Sequence, residues 1–197
     1  MATPIDFFAV MGLPRRLDLD PQVLESIFYR LSREVHPDFH HDKPEAERAV
    51  WLDRSAMVNK AYRVLRDFHS RIAHLIELEG AGALKPSAPP ELLEEVIEAQ
   101  DVLEEARGLN GDVAAEARRI LASRLGQEMA RFEQRLTQVE SSLKQRAQEW
   151  DAALSATNGA RSPAQQHLLR LLQDLLSQRV YLVNLLRDIE PVRTSVA

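Results

Sequence analysis

From residue 121 to residue 154, apolar side chains recur at spacings of three and four without a break: Leu121, Leu125, Met129, Phe132, Leu136, Val139, Leu143, Ala147, Trp150 and Leu154. That spacing lines one face of a helix with about 3.6 residues per turn. A strand cannot use it, because strand side chains alternate with a period of two. The pattern therefore predicts one continuous helix over about 113–154, and a seam this long needs partner helices along its length. Ser162-Pro163 opens the next helix, with Pro at the first helical position. It is expected to run to about Asp188. Its apolar residues (Leu168, Leu169, Leu171, Leu172, Leu175, Leu176, Val180, Leu182, Val183, Leu185, Leu186, Ile189) cover too wide an arc for a single neighbour. A third helix over about 91–107 ends at Gly108, and Asn110-Gly111 and Asn158-Gly159 supply turns. The expectation is a C-terminal three-helix bundle with short antiparallel connections.

The N-terminal half is punctuated by helix stops and starts. A short helix over Ile5 to Met11 ends at Gly12-Leu13-Pro14. Asp20-Pro21 starts a second, with Asp as the N-cap. Its apolar positions are Leu24, Ile27, Phe28, Leu31 and Val35, and it must stop near Val35 because Pro37 disfavours helix in the residue before it. A polar loop spans His36 to Lys43. The third helix is expected over Pro44 to Leu65, with Val50, Met57, Val58, Ala61, Tyr62 and Leu65 inward. A fourth, from about Ser70 to Glu79, stops at Gly80. No segment shows sustained period-2 alternation, so the fold class is all-α. Residues 80–90, GAGALKPSAPP, read as a linker. They divide the chain into a domain over 1–80, a linker over 81–90 and a bundle over 91–190.

With 197 residues there is room for one or two small cores, and a hydrophobic fraction of 45% is too high for a disordered tail. The absence of cysteine excludes disulfides, thiolate metal sites and cysteine nucleophiles, and suits a reducing compartment. A net charge of -5 gives no general pull toward nucleic acid or anionic membrane. No apolar run approaches a membrane span, and the N-terminus does not read as a signal peptide. The expected location is the cytoplasm, with neither nucleic acid nor membrane as partner. No Gly-rich phosphate loop, G-x-S-x-G or paired carboxylate motif is present, so no enzyme is expected. His36, Asp38, His40, His41 and Asp42 crowd one loop but match no standard zinc spacing, so no metal or cofactor is expected.

The loop between the second and third helices holds His36-Pro37-Asp38. Alone, the tripeptide is a helix stop followed by ordinary turn residues. Between an amphipathic helix and a longer one, and followed by Asn59-Lys60-Ala61-Tyr62-Arg63-Val64-Leu65, it resembles the J-domain family. Pro37 fixes φ near −65° and lacks an N–H, which stiffens such a loop. Asp38 then offers a carboxylate that an arginine can grip with two hydrogen bonds. His36 offers a ring donor and acceptor at neutral pH. The resemblance implies a co-chaperone whose residues Tyr29, Arg30, Arg33, His36, Pro37 and Asp38 contact a DnaK-type chaperone and stimulate its ATPase. The second helix carries a thin basic face, with Arg30 and Arg33 set against Glu25 and Glu34. Phe39-His40-His41 stands where the family often has a basic residue.

Further residues narrow the resemblance. Phe7-Phe8-Ala9-Val10-Met11-Gly12-Leu13-Pro14, Ser55, Arg71-Ile72-Ala73 and Leu75-Ile76-Glu77-Leu78-Glu79-Gly80 are similar to the HscB-type branch, the J-proteins of iron–sulfur cluster biogenesis. This likeness covers nearly the whole chain and is strongest over residues 5–80. It implies that the C-terminal bundle binds an IscU-type cluster scaffold and that the J-domain presents it to an HscA-type chaperone.

The helix over 91–107 has two apolar rows. Leu92, Val96, Ala99 and Leu103 form one stripe by the three–four rule and should be core. Leu93 and Ile97 are offset from it, among Glu94, Glu98, Asp101 and Glu105. Seven acidic residues against one basic residue make this helix a docking face for a basic partner, or else a solvated acidic face of an ordinary bundle helix. The resemblance places scaffold contacts at Leu93, Glu94, Ile97, Glu98, Asp101, Glu105 and Leu171. Glu94 stands where an apolar residue is frequent, and Leu171 where an aromatic is common.

Two other readings remain open at this point. A general J-protein would serve other clients through its bundle. A structural coiled-coil protein would self-associate through the helix over 113–154.

Overall fold

The computed structural model describes residues 4–36, 43–80, 93–108, 115–155 and 162–196. Among them the secondary structure is entirely helical: α1 (Phe7–Val10), α2 (Pro21–Glu34), α3 (Glu45–Arg66), α4 (Phe68–Leu78), α5 (Leu93–Arg107), α6 (Ala115–Ser155) and α7 (Pro163–Val196). The fold is all-α. The chain forms two compact units: residues 1–83 with 145–173, and residues 84–144 with 174–197. The linker expected at 81–90 lies outside the described residues.

In the first unit, α1 is only one turn long. The Asp6 carboxylate caps it, accepting the N–H groups of Phe8 at 2.9 Å and Ala9 at 3.1 Å. Gly12, at φ +67°, ends it, in backbone geometry that a β-carbon disfavours. The turn buries Phe7 and Phe8 against α3 and α4. On α4 the His74 ring stacks on Phe7 with centroids 4.4 Å apart, and its Nε2 accepts the Phe7 N–H at 3.0 Å. α2 begins as expected, with the Asp20 carboxylate accepting the Gln22 N–H at 2.8 Å and Pro21 at the first position.

α2 lies on α3 through a stack of Phe28 on Tyr62, with centroids 4.1 Å apart. Met57 and Tyr62 are half-buried, and Val58, Ala61 and Leu65 are buried, as their spacing predicts. Val50 departs from expectation and is 50% exposed. The reason is register. Val50 lies twelve residues before Tyr62, about 18 Å along the helix, whereas α2 continues only about 9 Å past Phe28. The start of α3 therefore overhangs the end of its partner.

α4 starts two residues earlier than the apolar spacing suggested. Asp67 is the cause, because its carboxylate accepts the Ser70 N–H at 2.8 Å and turns the chain straight from α3 into α4. Arg71, on the first turn of α4, is 6% exposed and donates to the carbonyl oxygens of Leu65 and Leu17. Burial lowers its pKa, and nearby Asp18, Asp67 and Asp151 oppose that shift.

The second unit contains α5, residues 115–144 of α6 and residues 174–196 of α7. Glu105 pairs with Arg124 at 3.0 Å and Glu95 with Arg135 at 3.6 Å, so α5 and α6 run antiparallel. Glu140 meets Arg179 of α7 at 2.6 Å. The seam positions Leu121, Leu125, Phe132, Val139 and Leu143 are buried, with Met129 and Leu136 at its margin. Glu128 is buried on the same seam. Its Oε1 accepts from Arg131 at 3.0 Å, while its Oε2 has no hydrogen-bond partner among the described residues.

α7 runs past the expected end at Asp188 to Val196, with Pro191 inside it. The proline removes one backbone donor. The turn around it is held by Glu190 with Arg193 at 2.9 Å and by the Thr194 hydroxyl donating to the Glu190 carbonyl at 2.9 Å. Val196, 5% exposed, anchors the end in the core.

Candidate functional site

On α2, Leu24 is buried and Ile27, Phe28 and Leu31 are half-buried, which fixes the inner face. Tyr29, Arg30 and Arg33 fall on the opposite arc by helical geometry and are exposed. Tyr29 is 63% exposed, and its hydroxyl donates to Glu25 at 3.3 Å. The Glu25 charge, helped by that bond, holds the phenol pKa above its ordinary value. Arg30 pairs with Glu34 at 3.1 Å along the helix surface, an exposed pair of little energetic weight. Arg33 has no carboxylate partner among the described residues. Tyr29, Arg30, Arg33 and Glu34 line an open surface groove. The helix ends at Val35, whose N–H bonds the Leu31 carbonyl at 3.0 Å, and His36 follows, exposed. Pro37 and Asp38 lie outside the described residues. The structure thus puts the α2 candidates on one solvent-facing surface that runs to His36.

On α5, Val96, Ala99 and Leu103 are buried, together with Val102 and Ala106. Leu92 lies outside the described residues. Leu93 and Ile97 face solvent at 53% and 51% exposure. Glu94, Glu98, Asp101 and Glu105 are exposed around them. Glu105 is engaged by Arg124, whereas Glu94, Glu98 and Asp101 have no cationic partner among the described residues. Among the described residues the face is therefore apolar at its centre, with three carboxylates that no cation pairs. Leu171, on the part of α7 that belongs to the first unit, is half-buried.

Sequence reasoning missed a polar junction in the first unit. The Asp151 carboxylate on α6 accepts the Leu17 and Asp18 N–H groups, each at 2.8 Å. Trp150 Nε1 donates to the Arg15 carbonyl at 3.0 Å. Arg15 in turn bridges Asp6 at 3.0 Å and Glu79 at 2.6 Å. Burial pushes the Asp151 carboxyl pKa up, opposed by the two N–H donors and Arg16. No spacing rule flags a contact between residues more than 130 positions apart.

Among the described residues no group of three or more His, Asp or Glu side chains is placed to hold a metal ion. Asp38, His40, His41 and Asp42 lie outside them. No helix among the described residues is long and apolar enough to cross a membrane.

No family model matches the chain. Among curated proteins it is similar to the co-chaperone protein HscB homolog of Azoarcus sp. (strain BH72), 37% identical over 105 residues, which cover 52% of this chain and 59% of the relative. It is similar to the HscB homolog of Bordetella pertussis, 35% identical over 137 residues covering 68% of this chain and 78% of the relative. The iron-sulfur cluster co-chaperone protein HscB homolog of Arabidopsis thaliana is 31% identical over 104 residues, 52% of this chain and 41% of that protein. Two solved structures share the fold. The chaperone HscB from Vibrio cholerae has a TM-score of 0.54 at 22% identity, covering 98% of this chain and 100% of that one. Human HscB has a TM-score of 0.57 at 20% identity, covering 97% and 83%. The match spans about three fifths of several of the curated relatives, at 59%, 62% and 59% of their lengths.

Proposed function

This chain belongs to the HscB co-chaperone family, and from that premise we propose that it stimulates the ATPase of a DnaK-type chaperone of the HscA kind and delivers to it an iron–sulfur scaffold protein of the IscU kind. In this reading the chain catalyses no reaction and works in the cytoplasm. Residues 1–80 act as the J-domain and 91–190 as the scaffold-binding bundle.

The observation that carries the reading is the outward face of α2, where Tyr29, Arg30 and Arg33 lead to His36, the first residue of the His36-Pro37-Asp38 sequence. A face with two guanidinium groups suits an acidic chaperone surface, and such complementarity chiefly speeds encounter and fixes orientation. Arg33 has no carboxylate partner among the described residues, which suits it to pair with a carboxylate of the chaperone. On α5, Leu93 and Ile97 among Glu94, Glu98 and Asp101 fit a partner surface with a small apolar centre and a basic rim.

The test is steady-state ATP hydrolysis by a DnaK-type chaperone at increasing concentrations of this protein. Saturable stimulation by the wild type, abolished by His36→Gln with helical content unchanged, supports the reading. Equal stimulation by the two proteins contradicts it.

A further inference from the structure

α2 is lightly held for a helix that is to present a binding face. Leu24 is its one fully buried side chain, and the Phe28–Tyr62 stack supplies a second anchor. The loop just before it is held much more firmly. Leu17 is fully buried, and its N–H and carbonyl both bond side chains from elsewhere, Asp151 and Arg71. The Asp18 N–H bonds the other Asp151 oxygen at 2.8 Å, and the Arg15 carbonyl takes the Trp150 indole N–H at 3.0 Å. Asp18 stands two residues before Asp20, the cap of α2. All these residues belong to the first compact unit.

We infer that Trp150 and Asp151, on α6, are positioning residues for chaperone stimulation: they fix the loop that sets where α2 starts and how its outer face is aimed. The inference rests on the chaperone-binding reading of α2. Two features point to positioning rather than to bulk packing. Asp151 is 4% exposed, and burying a carboxylate there is a poor way to gain stability, because apolar side chains of similar volume do at least as well. What the carboxylate adds is direction. Its two oxygens accept two successive N–H groups and so select one backbone conformation for residues 17 and 18. Because α2 extends about 21 Å from that point, a few degrees of tilt at its start displace Arg33 and His36 at its far end.

The test uses the full-length protein carrying Asp151→Ala or Trp150→Phe, with the helical content of each compared with wild type by circular dichroism. Hydrogen exchange should quicken at the amides of Leu17 and Asp18 in Asp151→Ala. The concentration giving half-maximal ATPase stimulation of a DnaK-type chaperone should rise by about three- to tenfold, the weight of one or two buried hydrogen bonds. Maximal stimulation should stay at the wild-type level, and Asp151→Asn, which keeps one acceptor, should recover part of the loss. Wild-type half-saturation in both variants, with the loop amides exchanging faster, overturns the inference and leaves the chaperone reading standing. Loss of helical content in both variants also overturns it, by showing that the contacts hold the fold rather than aim α2. A wild-type protein that gives no stimulation removes the chaperone reading and this inference together.

Discussion

Phe28 and Tyr62 stack with ring centroids 4.1 Å apart and planes 15° from parallel, and this contact sets the register of α2 on α3. Both rings are half-buried, so the pair couples the two helices at the edge of the core. Tyr62→Ala should destabilise the protein by about 2–3 kcal/mol through lost area and lost stacking. Urea unfolding followed by circular dichroism would measure it. Val50→Ala, on the overhanging start of α3, should stay within about 0.5 kcal/mol of wild type in the same measurement.

His74 makes the first unit sensitive to acid. Its ring is buried and its Nε2 accepts the Phe7 N–H, which requires the neutral form. Burial holds its pKa below 6.5, against the opposing pull of Glu77 and Asp6. The unfolded chain therefore binds the proton more readily than the folded one. This group's contribution is fully present above about pH 6.5 and is lost as pH falls below that value toward the folded pKa. Melting temperature should fall as pH drops below about 6.5. His74→Gln, which cannot titrate, should flatten that part of the profile.

Glu128 lowers the stability of the second unit. Its Oε2 is buried on the α6 seam without a hydrogen-bond partner among the described residues, a loss of about 1–3 kcal/mol. Glu128→Leu should raise stability by about 1 kcal/mol in urea unfolding. A destabilised variant would show that the carboxylate has a partner of importance in solution.

On α5, the exposed pair should separate binding from folding. Leu93→Ala combined with Ile97→Ala should change bundle stability by less than about 1 kcal/mol, since both side chains are already half in water. Scaffold binding, measured by calorimetry, should weaken about tenfold or more if these are the anchors of the interface. Unfolding of the double variant would return the pair to the core.

Much of the fold was legible in the sequence because helix spacing and capping are local. Asp20-Pro21, Gly12, Gly80 and the seam from Leu121 onward each announced an element that the structure contains. The misses share a different cause. Asp67 caps α4 from the tail of α3, Pro191 stays helical because Val196 is anchored beyond it, and Val50 is exposed because α2 ends too soon to cover it. Each depends on what lies across from a residue, which periodicity does not encode. The same holds for the candidate site. Helical arcs alone place Tyr29, Arg30 and Arg33 opposite Leu24, and Leu93 and Ile97 off the Val96–Ala99–Leu103 stripe. The grip of Trp150 and Asp151 on residues 15–18 leaves no trace in composition or spacing.

The most direct measurement is ATP hydrolysis by an HscA-type chaperone with this protein and an IscU-type scaffold, each alone and together, beside the His36→Gln variant. The expected result is stimulation by the pair greater than the sum of the separate effects, and its loss in the variant. Stimulation that ignores the scaffold, or that survives in His36→Gln, would contradict a co-chaperone that joins a cluster scaffold to its chaperone.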